Sequence, residues 1–155
     1  MKYYPIEIIL ENRTFLIIWY TGDKDGVICE NGKVVWFSSA YNLSCYCKKH
    51  NIRLEDDSSV FDLTKPINQQ HIDFSNILDF WNLILDVSSS IELPFLGSAE
   101  NGIVLDVYNK LLYGSNPEVI VEGSSHFVPT FSNAELAILL DVFENGMTVL
   151  KGSLA

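Results

Sequence analysis

Residues 4–20 read YPIEIILENRTFLIIWY, and this stretch points to a β-sheet at the N-terminal end of the chain. Two runs within it, Tyr4–Leu10 and Thr14–Tyr20, are rich in Ile, Phe, Trp and Tyr, which suit a pleated sheet. The break at Glu11–Arg13 is short enough for a hairpin. The sequence therefore predicts two antiparallel strands here.

A second hairpin is predicted directly after a polar loop at residues 21–26. Val27–Glu30 and Lys33–Phe37 flank the dipeptide Asn31-Gly32, which is the strongest short-range hairpin signal. The first 37 residues thus predict a meander of four antiparallel strands. A short strand at Val60–Leu63, stopped by Lys65-Pro66, is predicted further along.

Apolar periodicity and capping residues predict four helices after this meander. They run from a cap at Ser38 or Ser39 to about His50, from a cap at Asp73 or Ser75 to about Ser88, from Gly102 to Leu112, and from the capping box Ser132–Glu135 to Asn145-Gly146. Trp81 lies on the apolar face of the second helix and is predicted to be a core residue. Strands first and helices later predict one α+β domain over residues 1–155, with an antiparallel N-terminal β-meander packed against three or four helices.

The segment between the last two predicted helices is long and irregular. Residues 115–131 contain three dispersed Pro and Gly residues, and Val119–Val121 is predicted to form a short edge strand. Long loops without regular structure usually serve a function.

The charge of the chain is unevenly distributed. Up to Arg53 there are seven Lys/Arg against five Asp/Glu, a net of +2, and from Leu54 onward there are three against fifteen, a net of −12. Such a field repels nucleic acid and anionic membranes and attracts cationic surfaces. A basic protein partner is therefore expected, and direct contact with nucleic acid or a membrane is not.

No catalytic motif accompanies this charge. The sequence has no Gly-rich phosphate loop, no Gly-x-Ser-x-Gly elbow and no His-Glu-x-x-His pair, and its three histidines occur in unrelated contexts. We therefore predict that the protein is not an enzyme and needs no cofactor. An enzyme whose site is assembled from scattered carboxylates is the alternative.

Metal binding is not expected either. Cys45, Cys47 and His50 could be imagined as zinc ligands, but helical positions two apart point to nearly opposite faces, and no second ligand pair follows. Free buried thiols are expected instead. Asp23–Gly26 resembles the start of a calcium loop, but its glycine is misplaced and the closing Glu is missing.

The N-terminal apolar runs are interrupted by polar residues and are too short for an export signal or a membrane span. A cytoplasmic protein is therefore predicted. No coiled-coil heptad or symmetric patch is visible, so a monomer is favoured.

Several segments resemble immunity proteins of bacterial contact-dependent growth inhibition and other polymorphic toxin systems. They are WFSSAYNLSCYCKKHNIRLE (36–55), DFSNILDFWNLILDVSSSI (73–91), YNKLLYGSNPEV (108–119), VEGSSHFVPTFSNAEL (121–136) and ENGMTVLKG (144–152). The resemblance implies a small cytoplasmic protein that binds one cognate toxin domain and neutralises it. Many such toxins are nucleases with basic clefts, so the expected partner is a basic nuclease, an RNase in preference to a DNase.

The resemblance implies no fixed binding residues, so the interface is predicted from position and charge. Two irregular acidic loops, at residues 55–57 and 118–122, are predicted to converge on one surface, with Asp62 as a further anion and two aromatic residues as anchors. The predicted residues are Glu55, Asp56, Asp57, Asp62, Tyr113, Glu118, Glu122 and Phe127. Core packing is the alternative for Tyr113 and Phe127. An acidic adaptor that binds a basic protein surface, with no toxin partner, is the alternative function.

Overall fold

The computed structural model describes residues 1–67, 72–115 and 129–154 of the chain. Its strands are β1 (Lys2–Leu10), β2 (Arg13–Thr21), β3 (Gly26–Val27), β4 (Cys29–Glu30), β5 (Lys33–Val34) and β6 (Ser59–Asp62). Its helices are α1 (Ala40–Lys49), α2 (Phe74–Ile91), α3 (Gly102–Ser115) and α4 (Asn133–Leu154), with a short 3₁₀ turn at Leu96–Ser98. The chain thus has the α+β fold that the sequence predicts.

Contacts along the chain group these elements into two compact units. The first unit comprises Met1–Pro66, Asp86–Leu93 and Leu150–Ala155, and the second comprises Ile67–Leu85 and Pro94–Val149. The single domain expected over residues 1–155 stays a prediction. Within the described parts of the chain, no helix has both the length and the hydropathy needed to cross a bilayer.

The first unit is built on a four-stranded sheet with the order β3-β2-β1-β6. β1 and β2 form the predicted hairpin, in which Leu10 pairs with Arg13 and Lys2 pairs with Thr21. β6 lies on the other side of β1 and runs parallel to it. One face of the sheet carries Ile6 and Ile8 from β1 and Ile17 from β2, all of them buried.

The predicted second hairpin also forms, but it is not a simple continuation of the meander. Asn31 and Gly32 both have positive φ, 53° and 73°, as a type I′ turn between β4 and β5 requires. Val27 pairs with β2 at Trp19, the chain then leaves to form this hairpin, and it returns to β2 where Phe37 pairs with Leu16. β4 and β5 therefore form a separate two-stranded sheet.

Helix α1 covers part of the opposite face of the sheet. Ser39, one of the two predicted caps, accepts a hydrogen bond at Oγ from the Asn42 amide (3.1 Å). Leu43 and Cys47 of α1 pack in a buried cluster with Ile18 of β2 and with Phe37. Burial raises the pKa of the Cys47 thiol. The expectation of buried thiols is wrong for Cys45, which is exposed on this helix.

The second unit is helical. The predicted capping box forms at the start of α4, where the Glu135 amide donates to Ser132 Oγ (3.2 Å) and the Ser132 amide donates to Glu135 Oε1 (3.0 Å). Trp81 is in the core, as predicted, with 1% of its surface exposed. Its indole N–H donates to the carbonyl oxygen of Gly97 (3.0 Å).

Two helices continue beyond the ends predicted at Leu112 and at Asn145-Gly146, and each passes through a glycine, Gly114 in α3 and Gly146 in α4. A Cβ on Gly146 would lie 3.1 Å from Cε1 of Phe80, and one on Gly114 would lie 2.7 Å from Cγ of Pro129. These glycines therefore allow close packing in the second unit rather than ending a helix. In the structure α3 reaches Ser115 and α4 reaches Leu154.

A partly buried carboxylate stabilises the first unit through one hydrogen bond. The Trp19 indole N–H donates to Oδ2 of Asp86 (2.6 Å). Burial, the largest influence, raises the pKa of Asp86, and Asp25 raises it further, whereas the Trp19 hydrogen bond lowers it by less. The folded state therefore holds the Asp86 proton more tightly than the unfolded state does.

The stability contribution of this proton is fully present below the unfolded pKa of 3.8 and is lost as the pH rises through the folded pKa. Asp86→Asn keeps an acceptor for Trp19 and cannot ionise. We expect the free energy of unfolding of the wild type to fall relative to that of Asp86→Asn as the pH rises above about 4. Urea unfolding across this range measures the difference in unfolding free energy between the wild type and Asp86→Asn. A wild-type stability that stays constant or rises relative to that of Asp86→Asn would contradict the prediction.

Asp86→Ala, which leaves the indole N–H without this acceptor, should be about 1–3 kcal/mol less stable than Asp86→Asn.

Candidate protein-binding surface

The first predicted acidic loop, residues 55–57, is held to the sheet at both ends. On its N-terminal side Leu54 bridges to Tyr3, and the Glu55 amide donates to the Tyr3 carbonyl oxygen (2.7 Å). Two residues after Asp57, strand β6 begins and pairs with Ile6 of β1. The Glu55, Asp56 and Asp57 side chains are all exposed. The loop therefore presents three carboxylates from a short, anchored backbone.

Strand β6 continues this surface. Val60 pairs with Glu7 and Asp62 pairs with Ile9, so these four side chains lie on one face of the sheet. Phe61 points to the other face and is buried, whereas 54% of the Val60 surface is exposed. The predicted site residue Asp62 is thus placed on the same strand as an exposed apolar side chain.

The carboxylate of Asp62 is held by its neighbour Thr64. Oδ1 of Asp62 accepts hydrogen bonds from the Thr64 hydroxyl and from the Thr64 amide (3.1 Å for the amide). These two hydrogen bonds lower the pKa of Asp62 below its usual value, and the bond from the Thr64 hydroxyl has the larger effect. The charge of Lys65 lowers this pKa slightly further. Asp62 is therefore a fixed anion at neutral pH.

A groove of about 560 Å³ lies between α1 and the β1–β6 edge of the sheet; we call it the β6 groove. Most of its lining is apolar, and its polar side chains include two charged ones of opposite sign, Glu7 and Lys48. The lining residues are Pro5, Ile6, Glu7, Leu16, Ala40, Leu43, Ser44, Cys47, Lys48, Ile52, Leu54, Ser58, Ser59 and Val60. Leu54 and Ser58 flank the acidic loop in sequence, so the groove and the loop adjoin.

The carboxylates of this surface form no ion pair with another residue that the structure describes. The described residues form two ion pairs, Lys110–Glu135 and Lys151–Glu11, and neither involves this surface. The carboxylates around the groove are those of Glu7, Glu55, Asp56, Asp57 and Asp62, and the same elements and their flanks also carry Lys2, Lys48, Lys49, Arg53 and Lys65. The surface therefore combines an apolar groove with carboxylates that no described ion pair neutralises.

Of the other predicted site residues, Tyr113 is the one that the structure describes. Tyr113 lies on α3 in the second unit, and 48% of its surface is exposed, so its ring is not packed in the core. Glu118, Glu122 and Phe127 lie outside the described residues, as do the predicted edge strand at residues 119–121 and His126. The convergence of two acidic loops on one surface stays a prediction.

Sequence reasoning does not identify the groove or the residues Glu7 and Val60. Both residues belong to this surface only because β6 pairs with β1 in parallel. A parallel pairing has no local turn signal, unlike the Asn31-Gly32 hairpin. The short strand predicted at Val60–Leu63, directly after the acidic loop, is the one signal that could have indicated this surface.

Metal ligands are not assembled in the described ranges of the chain, which contain no group of three or more His, Cys, Asp or Glu residues placed to hold an ion. Of the imagined zinc ligands, His50 stacks on the ring of Tyr46, with 4.1 Å between ring centroids. Cys47 points into the core while Cys45 faces solvent.

The structure defines an α+β protein with a groove and an adjoining acidic loop at one edge of its sheet. No family model matches the chain, and no curated protein matches it. Among solved structures, the chain is similar to the C-terminal domain of SatS, which was solved in complex with bromine. The two chains are 15% identical with a TM-score of 0.57, and the match covers 99% of this chain and 92% of that one. At this identity the likeness extends to the fold alone.

Proposed function

We propose that the protein is an immunity protein that binds a cognate bacterial toxin domain and neutralises it without catalysis. The toxin is a basic nuclease, an RNase in preference to a DNase, and inhibition is stoichiometric, by occlusion of its active site or substrate groove in the cytoplasm. The observation that carries the proposal is the set of exposed carboxylates without ion pairs around the β6 groove. The sequence resemblance to immunity proteins supports it independently.

The two parts of this surface have different physical roles in binding. Unpaired carboxylates attract a cationic nuclease cleft over several ångströms and can raise association rates by roughly 10–10³-fold. The cleft is built to bind phosphates, so a row of carboxylates on a fixed backbone imitates its substrate. Apolar contacts in the groove act only at contact distance, and they lengthen the lifetime of the complex.

Co-expression tests the proposal. An immunity gene lies directly downstream of its toxin gene, so the polypeptide encoded immediately upstream of this chain is the expected partner. Expressed alone, that polypeptide should stop growth. Expressed with this protein, it should be harmless and should co-purify with it in a 1:1 complex. An upstream polypeptide that is not toxic, or that stays toxic while this protein is abundant, would refute the proposal.

The same surface supports a second candidate, an acidic adaptor that binds a basic protein surface and has no toxin partner. The groove, whose volume suits a few side chains of a partner, favours this candidate as much as the first. The two candidates differ in genetic context and in outcome. An adaptor binds a protein that is not encoded upstream, and its loss does not release a toxic activity.

A further inference from the structure

Among the described residues, the outer edge of β6 is not paired with another strand. β6 is the last strand in the order β3-β2-β1-β6. The Leu63 amide donates to the Ile9 carbonyl oxygen of β1 (2.9 Å). Backbone groups alternate in direction along a strand, so those of Val60 and Asp62 point to the opposite, outer edge. No strand in the described part of the chain pairs there.

The β6 groove adjoins this edge. The Val60 side chain lines the groove, and Ser58, two residues earlier, lines it as well. A strand added outside β6 would lie about 4.8 Å away, and every second side chain would point to the face that holds the groove. An apolar side chain opposite Val60 would thus be buried in the groove, while its neighbours along the added strand would point away.

Charge determines the class of segment that fits. Asp62 lies at one end of β6 and the acidic loop 55–57 lies before the other end. An added strand therefore meets carboxylates on both sides of Val60. Cations two residues before and two residues after the apolar side chain would point to the same face and reach these carboxylates. A second copy of this chain is disfavoured, because its own β6 edge would bring identical carboxylates together.

We propose that the outer edge of β6 accepts an extended basic segment of the partner as an additional strand. The segment has the pattern cation-x-apolar-x-cation. Its backbone hydrogen-bonds to Val60 and Asp62, its apolar side chain enters the β6 groove, and its cations contact Asp62 and the acidic loop. The identification of the partner as a toxin domain rests on the proposed function, whereas the pairing mode rests on the strand edge itself.

Val60→Pro tests the pairing mode in the complex. This substitution removes the outward N–H of Val60 and places a ring on the open edge, while the hydrogen bond from Leu63 to β1 remains possible. Val60→Ala is the matched control, because it shortens the side chain and keeps the N–H. With both variants shown to be folded by thermal unfolding, Val60→Pro should bind the upstream-encoded domain at least about 10-fold more weakly than Val60→Ala. Equal affinities of the two variants would overturn the proposal.

Amide hydrogen exchange in the wild-type protein gives the same test if Val60→Pro does not fold. Binding of the upstream-encoded domain should slow exchange at the Val60 and Asp62 amides, which strand addition would convert from solvated to hydrogen-bonded groups. Unchanged exchange at both amides in a saturated complex would overturn strand addition. This holds even if the complex forms and the upstream-encoded domain is therefore the correct partner.

A peptide separates this proposal from the proposed function. The probe is the blocked peptide Lys-Thr-Val-Thr-Lys, and its control is the same peptide with every backbone amide N-methylated, which keeps the charges and removes the backbone donors. The unmodified peptide should shift the Val60 and Asp62 amide signals in NMR titrations and bind at least about 5-fold more tightly than the control. Equal binding, or no binding, would overturn strand addition. If the peptides behave as expected but the upstream-encoded domain is not bound, the proposed function fails and strand addition stands.

Discussion

Replacing Glu55, Asp56 and Asp57 together by Gln, Asn and Asn should slow association with the upstream-encoded basic domain by about 10-fold or more at low ionic strength. The substitutions remove three exposed charges, and the loop itself stays anchored because the Glu55 amide, not its side chain, donates to Tyr3. Stopped-flow or surface-binding measurements of the association rate at several salt concentrations check this. The rate of the variant should also depend less steeply on salt.

A matched control separates the position of the charges from their number. Asp106, Asp141 and Glu144 are exposed acidic residues on α3 and α4, in the second unit. Their replacement by Asn, Asn and Gln changes the net charge of the protein by the same amount. We expect the association rate of this control to stay close to that of the wild type. A control that associates as slowly as the loop variant would mean that net charge, and not this surface, attracts the partner.

Trp81→Ala should destabilise the protein by about 3–5 kcal/mol, the range typical of large aromatic residues removed from a core. Trp81 is the largest of the fully buried side chains, and its ring contacts Tyr108 edge-on at 5.5 Å between centroids. The truncation leaves a cavity and also removes the donor that satisfies the Gly97 carbonyl oxygen. Urea unfolding followed by circular dichroism measures the loss.

Trp81→Phe is the informative companion of this variant. It retains an aromatic ring in the core and removes the indole N–H, so it reports mainly on the hydrogen bond to Gly97. We expect a loss of about 1–3 kcal/mol, smaller than that of Trp81→Ala. A loss below about 1 kcal/mol for Trp81→Ala would contradict the placement of this side chain in the core of the second unit.

The parts of the fold that depend on local chemistry could be predicted from the sequence. The capping box at Ser132 and Glu135 and the hairpin turn at Asn31-Gly32 each bring their own hydrogen-bonding or conformational preference, and both form. The apolar runs that become β1 and β2 pair as expected. In these cases the residues that predict the element are the same residues whose hydrogen bonds or backbone angles form it.

The parts that depend on distant residues could not be predicted. Gly146 is a typical helix stop when only its neighbours are considered, but it lies inside α4, where the Phe80 ring leaves little room for a side chain. The parallel pairing of β6 with β1 joins segments about 50 residues apart, and neither segment contains a sequence signal that predicts this pairing. The candidate surface also has a predictable and an unpredictable part. The carboxylates of residues 55–57 and Asp62 could be chosen from the sequence, whereas the groove and the position of Glu7 depend on the pairing of β6 with β1.

Titration of the purified upstream-encoded domain with this protein, followed by the rate of nucleic-acid cleavage, measures neutralisation directly. We expect the rate to fall linearly with added protein and to reach zero at one molar equivalent, as tight 1:1 occlusion requires. Cleavage that continues at the full rate in the presence of a several-fold molar excess of folded protein would contradict an immunity function.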